Sequence, residues 1–122
     1  MQAVWRFTVP GPPVPYTRMV RGDRSKRAQK YRAYRELVAW HARAAGMEPI
    51  AIASGPVSLM VECYVDGQRH RRWDATNVLK GIEDALLKLA YTDDNQVTSA
   101  QVRIWASEDG EEYVSVWVGR IA

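Results

Sequence analysis

Charged side chains of both signs are concentrated between residues 69 and 97. In chain order, this segment contains Arg69, His70, Arg71, Arg72, Asp74, Lys80, Asp93 and Asp94. Carboxylate oxygens are ligands for Mg²⁺, which is often held by one or two carboxylates together with water and substrate phosphate. Arginine binds phosphate through paired hydrogen bonds. The combination indicates metal-assisted hydrolysis of a phosphodiester as a candidate chemistry.

Each acidic position also has a purely structural interpretation. Asp74 comes just before a predicted helix, where the helix dipole favours a negative charge whether or not a metal binds. Asp93 and Asp94 are also typical of a turn that leads into a strand. The intervening helix, of about 13 residues, spans roughly 20 Å. The two acid positions therefore meet only if the chain folds back after residue 89 and the strand near residue 96 pairs beside the one ending near residue 65.

A lysine lies on the polar side of the helix between the acids. Asn77, Lys80 and Asp84 are spaced by three and four residues, which places them along one edge of that helix. Lys80 is either an ordinary solvated lysine or a group that neutralises charge developing on a phosphate. Glu83 is interpreted as a surface acid. Asp84 either forms an ion pair with Lys80 or accepts a hydrogen bond from a residue around the metal site without binding the metal itself.

The charge of the chain is distributed unevenly. Residues 18–43 contain nine basic and two acidic residues, a balance of +7, so the remainder carries about −4 of the total of +3. Such asymmetry predicts a cationic surface for a polyanion beside an acidic site for a divalent cation. The basic residues that we expect to contact this polyanion are Arg18, Arg21, Arg24, Arg27, Lys30, Arg69, Arg71 and Arg72.

The hydrophobic pattern predicts an α+β fold with the element order β-α-β-α-β-β. Strands are expected at residues 3–9, 57–65, 96–105 and 112–118, with a hairpin turn at 108–111 between the last two. A first helix is expected from residues 23–25 to about 45, with a buried stripe formed by Tyr31, Tyr34, Val38, Ala42 and Ala45. A second helix is expected at about residues 77–89, with Thr76 as its N-cap. We expect a mixed sheet with the helices packed on it.

Size and composition limit the class of protein. A chain of 122 residues, 47% hydrophobic, is expected to form one domain over residues 1–122. The single Cys63 excludes an internal disulfide and a cysteine-based zinc cluster. No long apolar run or signal-peptide pattern occurs, so a cytoplasmic protein without a membrane segment is expected. Trp105 and Trp117 lie opposite the predicted core faces of their strands and are candidates for an interface.

These residues resemble the RusA family of Holliday-junction resolvases, small endonucleases common in prophages. The strongest part of the resemblance is Arg71-Arg72-x-Asp74-x-Thr76-Asn77-x-x-Lys80, followed by Asp84-Ala85-Leu86 and Asp93-Asp94-x-Gln96-Val97. A Pro-rich loop, the Tyr-Thr-Arg segment at residues 16–18, the basic first helix and the strand with Glu62 also match. The resemblance covers nearly the whole chain.

The resemblance implies a homodimer that depends on Mg²⁺, or on Mn²⁺, and resolves four-way DNA junctions by paired symmetric cuts. By the family pattern, Asp74, Asp94 and Lys80 are the catalytic residues. Asp93 joins the two aspartates as a metal ligand. Asn77, Asp84, Glu62 and Thr76 are the supporting residues.

Thr76 departs from the family pattern, which has a carboxylate at this position. The substitution removes one negative charge from the expected metal site. Asp93, Asp84 or Glu62 would then have to compensate. The alternative to a working resolvase is therefore a protein that binds branched DNA with reduced or lost cleavage. A third reading is an interaction protein whose basic helix binds an acidic partner protein.

Overall fold

A computed structural model describes residues 2–67 and 73–121. The elements are β1 (Gln2–Pro10), α1 (Lys26–Ala44), β2 (Val57–Asp66), α2 (Ala75–Leu86), β3 (Val97–Ser107) and β4 (Tyr113–Arg120). A short 3₁₀ helix, Asp94–Gln96, comes directly before β3. The predicted element order and the α+β class are confirmed.

The strands form one mixed sheet in the order β1-β4-β2-β3. β4 is antiparallel to both β1 and β2, whereas β3 pairs parallel with β2 at the sheet edge. Parallel neighbours need a crossover connection, which α2 provides between β2 and β3. The predicted hairpin at residues 108–111 is wrong, because β2 lies between β3 and β4. The acidic segment instead crosses the end of β2, a distance of about two strand spacings or 10 Å.

One face of the sheet packs against both helices. The buried residues of β2 alternate along the strand and include the predicted core residue Cys63. They form one core with residues of α1 and α2, namely Tyr34, Val38, Ala42, Val78, Ile82 and Leu86. The opposite side of the sheet, which carries Glu62, Tyr64 and Trp105, is partly exposed and is called the outer face below.

Helix α1 has the start and stop signals that the sequence predicts. The Ser25 side chain caps its first turn by accepting a hydrogen bond from the backbone N–H of Ala28 at 3.2 Å. Gly46, with φ of +96°, takes the left-handed conformation that favours glycine after a helix end. The predicted stripe is buried except for Ala45, which is the C-cap and is exposed.

Helix α2 begins earlier and ends earlier than predicted. Asp74, rather than Thr76, is the N-cap, and Thr76 lies within the first turn. Both residue types cap helices well, so the sequence alone did not decide between them. The helix ends at Leu86 because Leu87 is extended and Lys88 has a φ of +71°. Leu89 remains buried although it lies beyond the helix. Within residues 2–67 and 73–121, no helix is long and apolar enough to cross a membrane.

Candidate active site

Asp74 has a structural task at the beginning of α2. One carboxylate oxygen accepts a hydrogen bond from the backbone N–H of Asn77 at 3.2 Å, and the other accepts one from the Asn77 side chain at 3.3 Å. These contacts hold an exposed carboxylate in one orientation at the positive end of the helix dipole. The structural interpretation of Asp74 is therefore confirmed, and it is compatible with a metal bound on the open side of the carboxylate.

Lys80 lies over an aromatic ring supplied by the loop before α1. Its ammonium nitrogen is 3.9 Å from the centroid of the Tyr16 ring, well within the range of a cation–π contact. The Tyr16 backbone N–H donates to the carbonyl of Asn77 at 2.8 Å, which fixes the loop on the helix. Gly81 permits this approach, because a Cβ there would lie 3.2 Å from the carbonyl oxygen of Val14. Lys80 is thus exposed but oriented, unlike an ordinary solvated lysine.

A partly buried hydrogen bond connects the basic helix α1 to α2. The hydroxyl of Tyr31, a buried residue of α1, donates to the carboxylate of Asp84 at 2.7 Å. Burial and the Asp84 carboxylate together raise the pKa of Tyr31, so the hydroxyl keeps its proton. The Tyr31 ring also contacts Tyr16 edge-on, at 5.7 Å between centroids, and the Arg35 guanidinium lies 5.0 Å above it. Asp84 therefore acts in helix packing, and Lys80 is paired with Tyr16 instead.

Negative charge accumulates near the other end of α2. Burial, followed by the neighbouring Asp84 and Asp94 carboxylates, raises the pKa of Glu83, and Lys80 opposes this shift only partly. Burial, Glu83, Asp84 and Asp94 also raise the pKa of Tyr91, whose hydroxyl donates to the backbone carbonyl of Glu83 at 2.8 Å. A bound cation would relieve the repulsion among these acids.

Asp74 and Asp94 lie at opposite ends of α2. Val97, just after Asp94, pairs with Val57 at the beginning of β2, whereas Asp74 follows the far end of that strand. Glu83, which senses the charge of Asp94, comes nine residues after Asp74, about 13 Å along a helix axis. The two acid positions could meet only if β3 paired beside β2, and this pairing is present. Because the two strands are parallel and in register from their beginnings, the pairing places Asp94 near the beginning of β2 rather than near its end.

The candidate ligands are of the type that binds Mg²⁺, although they do not lie close together within one chain. Carboxylates are the ligands that Mg²⁺ prefers, and Asp74 and Asp94 are both exposed. Asp93 instead caps the 3₁₀ helix, accepting from the backbone N–H of Asn95 at 2.8 Å. Among the described residues, no group of three or more His, Cys, Asp or Glu side chains is arranged to hold a metal ion.

The predicted DNA-binding residues of the first basic segment are all exposed. Arg18 and Arg21 lie in the loop before α1, Arg24 lies just before its cap, and Arg27 and Lys30 belong to its first turns. Arg32 is tied down, since its guanidinium donates to the backbone carbonyl of Asp23 at 2.7 Å. Arg69, Arg71 and Arg72 lie outside the described residues, so their place relative to Asp74 stays a prediction.

Two assignments from the sequence change with the structure. Glu62 is on the outer face, where its carboxylate accepts from the Tyr64 hydroxyl at 3.0 Å, so it does not join the acids of α2. Glu83, interpreted as a surface acid, is half buried beside Lys80 and Asp94. Sequence reasoning also missed Tyr16 and Tyr31. Tyr31 was assigned only to the core, and no spacing rule reveals that a loop tyrosine lies over Lys80.

Comparison with models of known protein families shows the family of this chain. The family model described as endodeoxyribonuclease RusA matches residues 10–117 of the 122. The chain belongs to the RusA family of endodeoxyribonucleases. No curated protein matches the chain.

Proposed function

We propose that the chain is a Mg²⁺-dependent endodeoxyribonuclease that resolves four-way DNA junctions as a homodimer. The single observation that carries this is the oriented Lys80, which lies over Tyr16 with carboxylates on either side of it along α2. Membership in the RusA family supports nuclease activity on DNA. Paired symmetric cuts need two sites related by a two-fold axis, and a homodimer provides them most simply.

DNA binding is assigned to the basic residues around the start of α1. Arg18, Arg21, Arg24, Arg27 and Lys30 are exposed on neighbouring parts of one loop and helix. Neutralising phosphates with such residues releases counterions, so junction binding should weaken steeply with salt. The hydrogen bond from Tyr31 to Asp84 links this helix to α2, and it would keep bound DNA in a fixed position relative to Lys80.

In the proposed reaction, water adds to phosphorus and loses a proton to solvent, while the bond to the leaving deoxyribose oxygen breaks and that oxygen takes up a proton. Lys80 stabilises the charge that builds up on the phosphate oxygens, as a preoriented cation near developing negative charge does. Asp74 and Asp94 would hold Mg²⁺ at the phosphate, where the metal supplies an activated water and a Lewis acid. Asn77 keeps the Asp74 carboxylate oriented through its two hydrogen bonds.

A second candidate function is junction binding without cleavage. It is favoured by Thr76, which lies in the first turn of α2 where the family pattern has a carboxylate, and that turn contains no acidic residue. One negative charge fewer beside Asp74 would weaken the hold on a divalent cation. DNA binding through α1 would be unaffected.

The deciding experiment is cleavage of a synthetic four-way junction, with Mg²⁺ and with chelator, by the wild type, Asp74→Asn and Thr76→Asp. We expect paired nicks from the wild type and a loss of more than about 100-fold in Asp74→Asn. Asparagine also caps helices, so the melting temperature of this variant should stay close to that of the wild type. Junction binding without nicks, together with cleavage gained in Thr76→Asp, would establish the second function instead. Unchanged cleavage in Asp74→Asn would remove Asp74 from the site.

A further inference from the structure

The outer face of the sheet carries aromatic side chains that the proposed nuclease site does not use. The strand registers place Pro10, Tyr113, Tyr64 and Trp105 in one row across all four strands. The rings of Tyr64 and Tyr113 stack, with centroids 4.7 Å apart and planes 21° apart. Trp105 is 43% exposed, an unusual fraction for a tryptophan on a folded domain.

A cleft of about 490 Å³ opens at the end of this row. It is lined by Tyr64, Trp105, Ala106, Ser107, Glu108, Asp109 and Tyr113, and is called the outer cleft below. Tyr64 and Trp105 are opposite each other on neighbouring strands, and both line the outer cleft. A ligand in the cleft would therefore contact both side chains.

The charge around the outer cleft is negative. Glu108 and Asp109 line it, and the segment between β3 and β4 contains two more acids, Glu111 and Glu112. Asp109 accepts hydrogen bonds from the backbone N–H of Glu111 and from the Ser107 hydroxyl, which lower its pKa and keep it ionised. These acids would repel the phosphates of DNA, so the outer cleft does not suit nucleic acid.

Two tryptophan rings on the outer face already lie close to guanidinium groups of this chain. The Arg6 guanidinium lies 5.0 Å above the Trp117 ring, and that of Arg103 lies 5.8 Å from the Trp105 ring, near the limit of such contacts. A guanidinium is planar, stacks on aromatic rings and forms paired hydrogen bonds with carboxylates. Tyr64 and Trp105 line the outer cleft together with Glu108 and Asp109, so aromatic rings and carboxylates are both available to a ligand there.

We propose that the outer cleft binds an arginine side chain of a partner protein, which lies against the aromatic rings of Tyr64 and Trp105 and pairs with Glu108 or Asp109. This site is independent of the proposed nuclease function, because it lies on the face of the sheet away from α2. It gives the protein a docking point for a basic protein segment while the α1 side remains available to DNA.

The test uses the peptide acetyl-Gly-Arg-Gly-amide and the same peptide with citrulline, which has the shape of arginine without its charge. Binding is followed by NMR through the backbone amide resonances of Ala106 and Ser107, which line the outer cleft in every variant, and also through the Trp105 indole N–H where that residue is present. We expect millimolar binding of the arginine peptide that is at least about fivefold weaker for the citrulline peptide, as loss of a cation–π contact implies. Trp105→Ala should abolish binding, and Glu108→Gln, a conservative change at an exposed position, should weaken it severalfold.

Trp117→Ala is the matched control, because Trp117 is on the same face but does not line the outer cleft. This variant should bind the arginine peptide as the wild type does. Equal binding of arginine and citrulline peptides would overturn the proposal, as would equal losses in Trp105→Ala and Trp117→Ala. A Trp105 resonance that responds only to protein concentration would also overturn it and would assign the cleft to self-association.

Discussion

At the scale of single residues, the orientation of Lys80 can be tested through Tyr16. Tyr16→Leu removes the ring under the ammonium but keeps the backbone hydrogen bond to Asn77. Because an exposed cation–π contact contributes about 0.5–1 kcal/mol, we expect single-turnover cleavage to fall roughly three- to fivefold. Tyr16→Phe keeps the ring and should cleave at nearly the wild-type rate.

A second readout of the same pair does not depend on activity. The ring current of Tyr16 should shift the NMR signals of the Lys80 ε-methylene, and the shift should persist in Tyr16→Phe and disappear in Tyr16→Leu. Equal cleavage by the leucine and phenylalanine variants would mean that the ring does not position Lys80 for catalysis.

Glu83 is the residue for which stability should depend most clearly on pH. Its pKa is raised above the ordinary 4.5 by burial and by Asp84 and Asp94, so ionised Glu83 destabilises the fold. This cost is absent at a pH below 4.5 and is fully present once the pH exceeds the raised value. Glu83→Gln should therefore raise the melting temperature at pH 7 by about 2 °C, a small gain because water screens a half-buried group. The gain should vanish near pH 4, and Glu48→Gln, at an exposed position, should show none at either pH.

At the scale of elements, two tyrosines one turn apart on α1 provide a matched pair. Tyr31 donates to Asp84 at 2.7 Å, whereas the buried hydroxyl of Tyr34 has no hydrogen-bond partner among residues 2–67 and 73–121. Tyr31→Phe leaves the Asp84 carboxylate without its donor and should cost about 1–3 kcal/mol of unfolding free energy. Tyr34→Phe removes an unsatisfied group and should be neutral or stabilising. Urea denaturation distinguishes them, and equal effects would contradict the proposed link between α1 and α2.

The elements themselves were largely predictable, whereas their neighbours in the sheet were not. Alternation in β2 and the three- and four-residue spacing in both helices predicted which faces are buried. The hairpin was wrong because local pattern does not show that β2 separates β3 from β4. The predicted N-cap of α2, Thr76, was wrong because Asp74, two residues earlier, has a similar preference for capping a helix.

At the scale of the whole molecule, local sequence pattern also did not predict how the site residues are arranged in space. The sequence predicted the residue types at Asp74, Lys80 and Asp94 without revealing that α2 holds the two aspartates apart. Their distance depends on strand order and direction, which arise from packing between distant parts of the chain. The Tyr16 contact is equally non-local. A homodimer that shared each site between its protomers, with Asp74 from one chain and Asp94 from the other, would form two equal sites.

Subunit mixing tests this arrangement directly. A heterodimer of Asp74→Asn with Asp94→Asn, purified through two different tags, combines one defective residue from each protomer. If each site uses Asp74 of one chain and Asp94 of the other, one site carries both defects and the other is intact. We then expect nicking of a four-way junction at up to about half the wild-type rate, on one strand only, whereas each homodimeric variant is inactive. If each site belongs to a single chain, both sites of the heterodimer are defective and no nick appears. A wild-type protein that remains a monomer in sedimentation equilibrium would contradict the homodimer itself.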